Sequence, residues 1–242
     1  EVSPAQWELV GLRSSLGKKN SSMKKIIAVG AGFGVAAGSF VTFAAAQPST
    51  LKLTYFPIQG PAEPARLALI VGDVEFEDCR LARAEFIAAK ESDPAAFPLG
   101  GQMPKLEMDG KVLTQSEAIA RFCANIAGLT PTCAFEAAKV DEVIQFVNQD
   151  IRERVLVPTM FLKDATAKSA ARKKAHDETL PAKFTALEAL IGPSGFFVGD
   201  KISLADLCFY TTANWIGMGI LDGIDGSCFD KSPKLLNLIK TL

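Results

Sequence analysis

The stretch LGGQMPKLEMDGKVLTQSEAIAR, Leu99 to Arg121, decides how the rest of this chain is read. It begins as an extended segment into Pro104, followed by a strand over 105–108, a turn at Asp109-Gly110 and a second strand over 111–113. Asp-Gly between two short apolar runs is a strong hairpin signal, because both residues tolerate positive φ. Thr114-Gln115-Ser116-Glu117 then opens a helix whose apolar positions Ala118, Ile119 and Phe122 fall at helical spacing. Gln115 and Ser116 therefore sit at a helix N-terminus, where free N–H groups and the helix dipole favour an anion.

On the N-terminal side of this stretch, 51–56 (LKLTYF) alternates as a strand and ends on Tyr55-Phe56. Pro57 and Gln59-Gly60-Pro61 break it, and 62–70 reads as a helix with Pro64 in its first turn. Residues 74–81 alternate again as a second strand after a crossover. The order β-α-β-β-α calls for a mixed sheet.

On the C-terminal side, no strand pattern follows Thr130. Residues 134–157 place Val140, Val143, Ile144, Val147 and Ile151 in a 3-4 rhythm, with Pro158 expected to interrupt the helix. Residues 165–190 read mostly as a solvated helix face carrying Lys168, Arg172, Lys173, Lys174, Asp177 and Glu178. In 196–207 (FFVGDKISLADL), Ser203 lies three residues before Asp206 and forms a capping box, with Ile202 as its staple. That makes Asp206 a structural residue rather than a catalyst.

Composition excludes several classes of function. The 242 residues can bury a sizeable core, and 26 basic residues balance 27 acidic ones, leaving no basic face for nucleic acid. The cysteines (Cys79, Cys123, Cys133, Cys208, Cys228) are odd in number and widely spaced, and His176 is the single histidine. A disulfide framework, a zinc site and a Ser-His-Asp triad all lack their parts, so the cysteines read as small core residues.

Residues 1–25 are polar and basic, and 26–46 then run without a charge. As a helix that run spans about 31 Å, the thickness of a bilayer core. It reads as a retained transmembrane helix; the competing reading is a cleaved signal ending at 43–47 (FAAAQ). Gly30, Gly34 and Gly38 share one helix face and offer a ridge for other transmembrane helices. Basic residues ahead of the span place the globular part opposite the tail. The division is then a tail over 1–25, a span over 26–46, a linker over 47–50, an α/β domain over 51–128 and a helical domain over 129–242.

The pattern Gln102-Met103-Pro104-x-Leu106-x-x-Asp-Gly-x-x-Leu113-x-Gln115-Ser116-x-Ala-Ile119 resembles the glutathione-binding half of a glutathione transferase of the tyrosine type. The string G-D-x-I-S-x-A-D over 199–206 resembles the folding motif of that family's helical domain. The resemblance implies α/β plus all-α architecture: a thioredoxin-like N-terminal domain followed by a helical domain, here without the family's last helix. It also implies a cis bond before Pro104, with the Met103 backbone pairing with glutathione like an added strand. Gln115 and Ser116 would hold the γ-glutamyl carboxylate, and Phe86 and Lys90 the glycine end. Tyr55 would be catalytic, its O–H stabilising the thiolate of glutathione, which is the substrate and not a resident cofactor. The electrophile would lie near 210–215.

Two departures from the family are visible. Gln59-Gly60-Pro61 replaces Arg-Gly-Arg, and Gln149 replaces an aspartate that reaches across the dimer, each change removing about 1–2 kcal/mol of polar help. Two functions follow: a membrane-anchored transferase that conjugates or isomerises electrophiles, as a homodimer, or an inactive scaffold subunit of a photosynthetic or respiratory membrane complex. The anchor implies an organelle, either the thylakoid or the mitochondrial inner membrane.

Overall fold

A computed structural model describes residues 50–242. The anchor reading of 26–46, its ridge of Gly30, Gly34 and Gly38, and the basic tail lie outside the described residues. Among the described residues no helix is long and apolar enough to cross a membrane.

The first half is a four-stranded mixed sheet of order β2-β1-β3-β4. Strand β1 (Leu51–Tyr55) is central, and Leu53 and Thr54 are buried on opposite faces. Helix α1 (Glu63–Val71) crosses over to β2 (Glu77–Arg80), which runs parallel to β1. Helix α2 (Arg83–Ser92) follows, then the hairpin of β3 (Lys105–Met108) and β4 (Lys111–Thr114), antiparallel to each other and to β1. The hairpin turn rests on Asp109 at φ 47° and Gly110 at φ 78°, as Asp-Gly allows. Helix α3 (Ser116–Ile126) packs its Ile119, Ala120 and Cys123 face on α1.

The second half is helical. Helix α4 (Ala134–Gln145) runs without a break through a π-helical stretch (Phe146–Leu156) into α5 (Val157–Phe161). Pro158 therefore does not interrupt this helix. The wider π turn lies just upstream of the proline, where a regular helix would put a ring-to-carbonyl clash, and accommodates it. Helix α6 (Ala165–Lys174) likewise passes through a π turn (Ala175–Thr179) into α7 (Leu180–Glu188), which buries Leu180, Phe184 and Leu187. Arg172, read above as solvated, is buried, with Nε 3.4 Å from Thr159 Oγ1 and Nη1 3.4 Å from Asp222 Oδ2. Helix periodicity gave no hint of this, because the 220–225 loop folds over that turn. Helices α8 (Leu204–Gly217) and α9 (Pro233–Thr241) complete the domain.

The Ser203–Asp206 capping box is formed. The fully buried Asp206 carboxylate accepts from Ser203 N–H and Ser203 O–H, both at 2.8 Å, and from Phe197 N–H at 3.0 Å. All five cysteines are free thiols. Cys123, Cys208 and Cys228 are core residues, and burial pushes their thiols up to about 12. Cys133 is exposed and Cys79 on β2 only half-buried, so neither takes the core position expected for it.

The single histidine does find an aspartate and a serine: Nδ1 lies 3.0 Å from Asp177 Oδ1 and Nε2 lies 3.1 Å from Ser227 Oγ. Ser227 O–H, however, donates to Asp225 Oδ1 at 2.6 Å, and that carboxylate is 3.4 Å from Nε2. The group is a clamp between α7's π turn and the 225–227 turn, not a nucleophile with its base. The hydrogen bond to Asp177, with help from Asp225, raises the imidazole pKa above the ordinary 6.5. A raised histidine pKa stabilises the fold fully below the unfolded value and loses that stabilisation as pH rises through the folded value. His176→Gln is expected to lower Tm at about pH 5.5 and leave it nearly unchanged at about pH 9. Thermal melts at both pH values check this, and an equal loss at each would remove the charge from the explanation.

Candidate functional site

The Met103–Pro104 peptide bond is cis, at the start of β3. Met103, Pro104, Gln115 and Ser116 line one cavity of about 160 Å³, together with Gln102 and Pro61. The hairpin explains the convergence. Lys105 pairs with Thr114, so the residues just before β3 and just after β4 are neighbours at the same end of the sheet. Gln115 carries φ 72° and ψ 113°, a conformation that costs a non-glycine residue about 1–3 kcal/mol. Such a conformation at a cavity wall is a mark of a functional site. Immediately after it, the N-terminus of the eleven-residue α3 presents its first-turn N–H groups beside Ser116.

Tyr55, at the end of β1, is buried with its hydroxyl against Gly60. Gly60 has φ 49°, and a Cβ there would lie 2.8 Å from Tyr55 Oη and 2.9 Å from Cε1. The next residue, Pro61, is exposed at the cavity wall, whereas Tyr55 lines neither this cavity nor the second one described below. Burial raises the phenol above its ordinary pKa of 10.0, opposed by the charges of Arg66 and Arg152, so it remains an O–H donor at neutral pH. Gly60→Ala would force either the backbone out of its left-handed region, at about 1–2 kcal/mol, or the ring away. We expect kcat of any Tyr55-dependent reaction to fall about tenfold, for the loss of one hydrogen bond, with KM little changed. Steady-state kinetics beside a thermal melt separate the two effects.

Arg66 holds this loop in place. Its guanidinium donates to the Ile58 carbonyl at 2.9 Å, the Gln59 carbonyl at 3.3 Å, Glu63 Oε2 at 3.1 Å and Asp78 Oδ1 at 2.9 Å. The same carbon lies 5.8 Å from the Tyr55 ring centroid. Gln59 does not stand in for the absent arginine, because its Oε1 accepts from Asn214 Nδ2 at 3.1 Å and ties the loop to α8.

Phe86 and Lys90 are placed elsewhere. The Phe86 ring packs edge-on between Phe56 and Phe97, with centroids 5.6 and 5.4 Å away. Lys90 Nζ donates to the Gly100 carbonyl at 3.4 Å, across a turn where Leu99, Gly100 and Gly101 all have positive φ. Neither lines the cavity. The residues inserted between α2 and Gln102 form this turn and occupy the lysine.

A second cavity, of about 110 Å³, lies between the sheet domain and the helices. Pro61 and Ser116 line both cavities. Its helical wall is a polar stripe four residues apart, Asn148 with Arg152 and Gln149 with Glu153, beside the buried stripe Val147 and Ile151. Asn148 Nδ2 donates to Glu117 Oε1 at 3.2 Å, and Arg121 reaches Glu117 Oε2 at 3.1 Å and Asp141 at 2.7 Å. Arg152 was missed in the sequence, where it reads as one more solvated charge on an amphipathic helix. From the 210–215 region, Trp215 reaches this wall, with the Arg152 guanidinium carbon 5.1 Å from its ring centroid.

Comparison with known proteins places these features in context. Residues 51–125 match the family model of the glutathione S-transferase N-terminal domain, and residues 149–242 that of its C-terminal domain. The probable glutathione S-transferase 7 of Caenorhabditis elegans is 37% identical over 161 residues, covering 64% of this chain and 75% of the worm protein. The hematopoietic prostaglandin D synthase of Gallus gallus is 30% identical over 192 residues, covering 77% and 87%. Among solved structures, prostaglandin synthase D of Nilaparvata lugens superposes with a TM-score of 0.67 at 30% identity, over 79% of this chain and 91% of that one.

Proposed function

Since this chain belongs to the glutathione S-transferase family, we propose that it binds glutathione in the Met103–Ser116 cavity and transfers its thiolate to an electrophilic carbon. Glutathione is a substrate in this family and not a resident cofactor. The reading rests on one observation: the cis-proline edge, the N-terminus of α3 and Pro61, the residue after the Gly60 that Tyr55 Oη packs against, all border a single cavity.

In this reading the Met103 backbone pairs with the peptide, and Gln115 and Ser116 bind its γ-glutamyl carboxylate through side chains and helix N–H groups. Tyr55 O–H donates to sulfur. A free thiol has pKa about 8.5, and a donor aimed at the anion lowers it, so the thiol proton leaves to solvent. The thiolate then forms the C–S bond, and either a leaving group departs or the resulting enolate takes a proton. Phe86 and Lys90 stay in the proposal only through rearrangement of the 94–101 turn when glutathione binds. The homodimer expected from the family also belongs to it.

Retention on immobilised glutathione, followed by elution with free glutathione, tests the binding step. A folded chain that passes straight through would overturn it and favour the scaffold reading, which draws on Pro61 offering the cavity no donor. The membrane tether at 26–46 is proposed from its uncharged length alone. Alkaline extraction of membranes carrying the full chain is expected to leave it in the pellet, and release into the supernatant would refute the tether.

A further inference from the structure

The one cation in the wall of the second cavity is Arg152, and it has no acceptor. Among the described residues it makes no hydrogen bond or ion pair; its ring contact is the face of Trp215, and Cys208, Glu153 and Tyr55 act on its charge from further off. A guanidinium carries five N–H donors and stays protonated, so in this half-buried wall Arg152 offers a ligand donors that no protein group occupies. The other charges there do not meet this need. Glu117 is already engaged by Arg121 and Asn148, and Glu153 is exposed at the rim and forms no pair with Arg152. Burial lowers the guanidinium pKa, opposed by Cys208, Glu153 and Tyr55. Much of the remaining wall is apolar, including Pro61, Ala120, Ile144 and Leu204.

Location gives this cation a use. The cavity shares Pro61 and Ser116 with the proposed glutathione site, and the charge of Arg152 is near enough to act on Tyr55, although Tyr55 itself lines neither cavity. We infer that Arg152 receives the carboxylate of the acceptor substrate, so that the preferred electrophiles are apolar molecules bearing a single carboxylate. This rests on the transferase reading above. One guanidinium, with two carboxylates elsewhere in the wall, suits a monoanion better than a phosphate dianion. Trp215 beneath the guanidinium fixes its plane and leaves its N–H rim for a two-point carboxylate contact.

The test compares 4-chloro-3-nitrobenzoate with its methyl ester, from which the thiolate displaces chloride, in the full chain and in Arg152→Gln and Arg152→Lys variants. For Arg152→Gln, kcat/KM with the acid is expected to fall at least about tenfold while the ester changes less than about twofold, and Arg152→Lys restores part of the loss. Equal losses for acid and ester, or a loss that appears in KM for glutathione, would overturn the inference. A binding arm separates its failure from that of the transferase reading. In a Trp7→Phe background, Trp215 fluorescence reports biphenyl-4-carboxylate and its methyl ester without turnover. Weakening by at least about tenfold for the acid alone in Arg152→Gln supports the site even if no conjugation occurs. Unchanged acid affinity refutes it.

Discussion

In a Tyr55→Phe variant, kcat/KM for glutathione conjugation is expected to fall about 10- to 100-fold, the worth of one hydrogen bond to a charged group of about 1.5–3 kcal/mol. The side chain keeps its aromatic volume on β1, its edge-on contact with Phe56 at 5.3 Å and its place over Arg66, so stability should change little. What disappears is the proposed donor to sulfur. The apparent pKa of bound glutathione, followed by thiolate absorbance, should rise in the variant toward the free-thiol value. A variant with unchanged thiolate pKa and unchanged kcat would remove Tyr55 from the chemistry, whatever the fold.

Asp206→Ala is expected to destabilise the folded domain by at least about 3 kcal/mol. Three donors in a site with no solvent access, Phe197 N–H, Ser203 N–H and Ser203 O–H, would lose their acceptor, at about 1–3 kcal/mol each. Asp206→Asn should not rescue it, since an amide supplies one acceptor and places donors against a donor. Burial dominates the carboxyl's own titration and raises its pKa above 3.8, although the hydrogen bonds pull it down. A raised carboxyl pKa means that stability falls as pH rises from about 3.8 to the folded value and is flat above it. Denaturant unfolding at neutral pH gives the size of the loss, and a Tm-against-pH series gives the sign. A loss of under about 1 kcal/mol would show that the 196–203 loop finds other acceptors.

The hairpin was legible because its signals are local. Asp109-Gly110 and the alternation around it specify β3 and β4, and the observed register follows from a two-residue turn. The capping box was legible for the same reason, as all of its donors and acceptors lie within a few residues. The continuity of α4 through Pro158 was not, since a proline reads as a stop and the π turn that absorbs it has no local signature. Arg172 and Arg152 failed in a different way. Both look like exposed charges on amphipathic helices, and each is covered by a distant segment, the 222 loop in one case and α8 in the other.

By itself the sequence determined the α/β half, the helical half and the identity of the residues around Met103 and Ser116. These depend on turn chemistry, periodicity and capping, which act over a few residues. Only the tertiary structure decided that Lys90 turns to the Gly100 carbonyl, that Gln59 is bound to Asn214 155 positions away, and that an unpaired Arg152 faces the cavity beside Tyr55. The first belongs to the turn that follows α2 within one domain; the other two come from the packing of one domain on the other. Burial and charge pairing are properties of a residue's surroundings in space, and for these side chains the surroundings are remote in the chain.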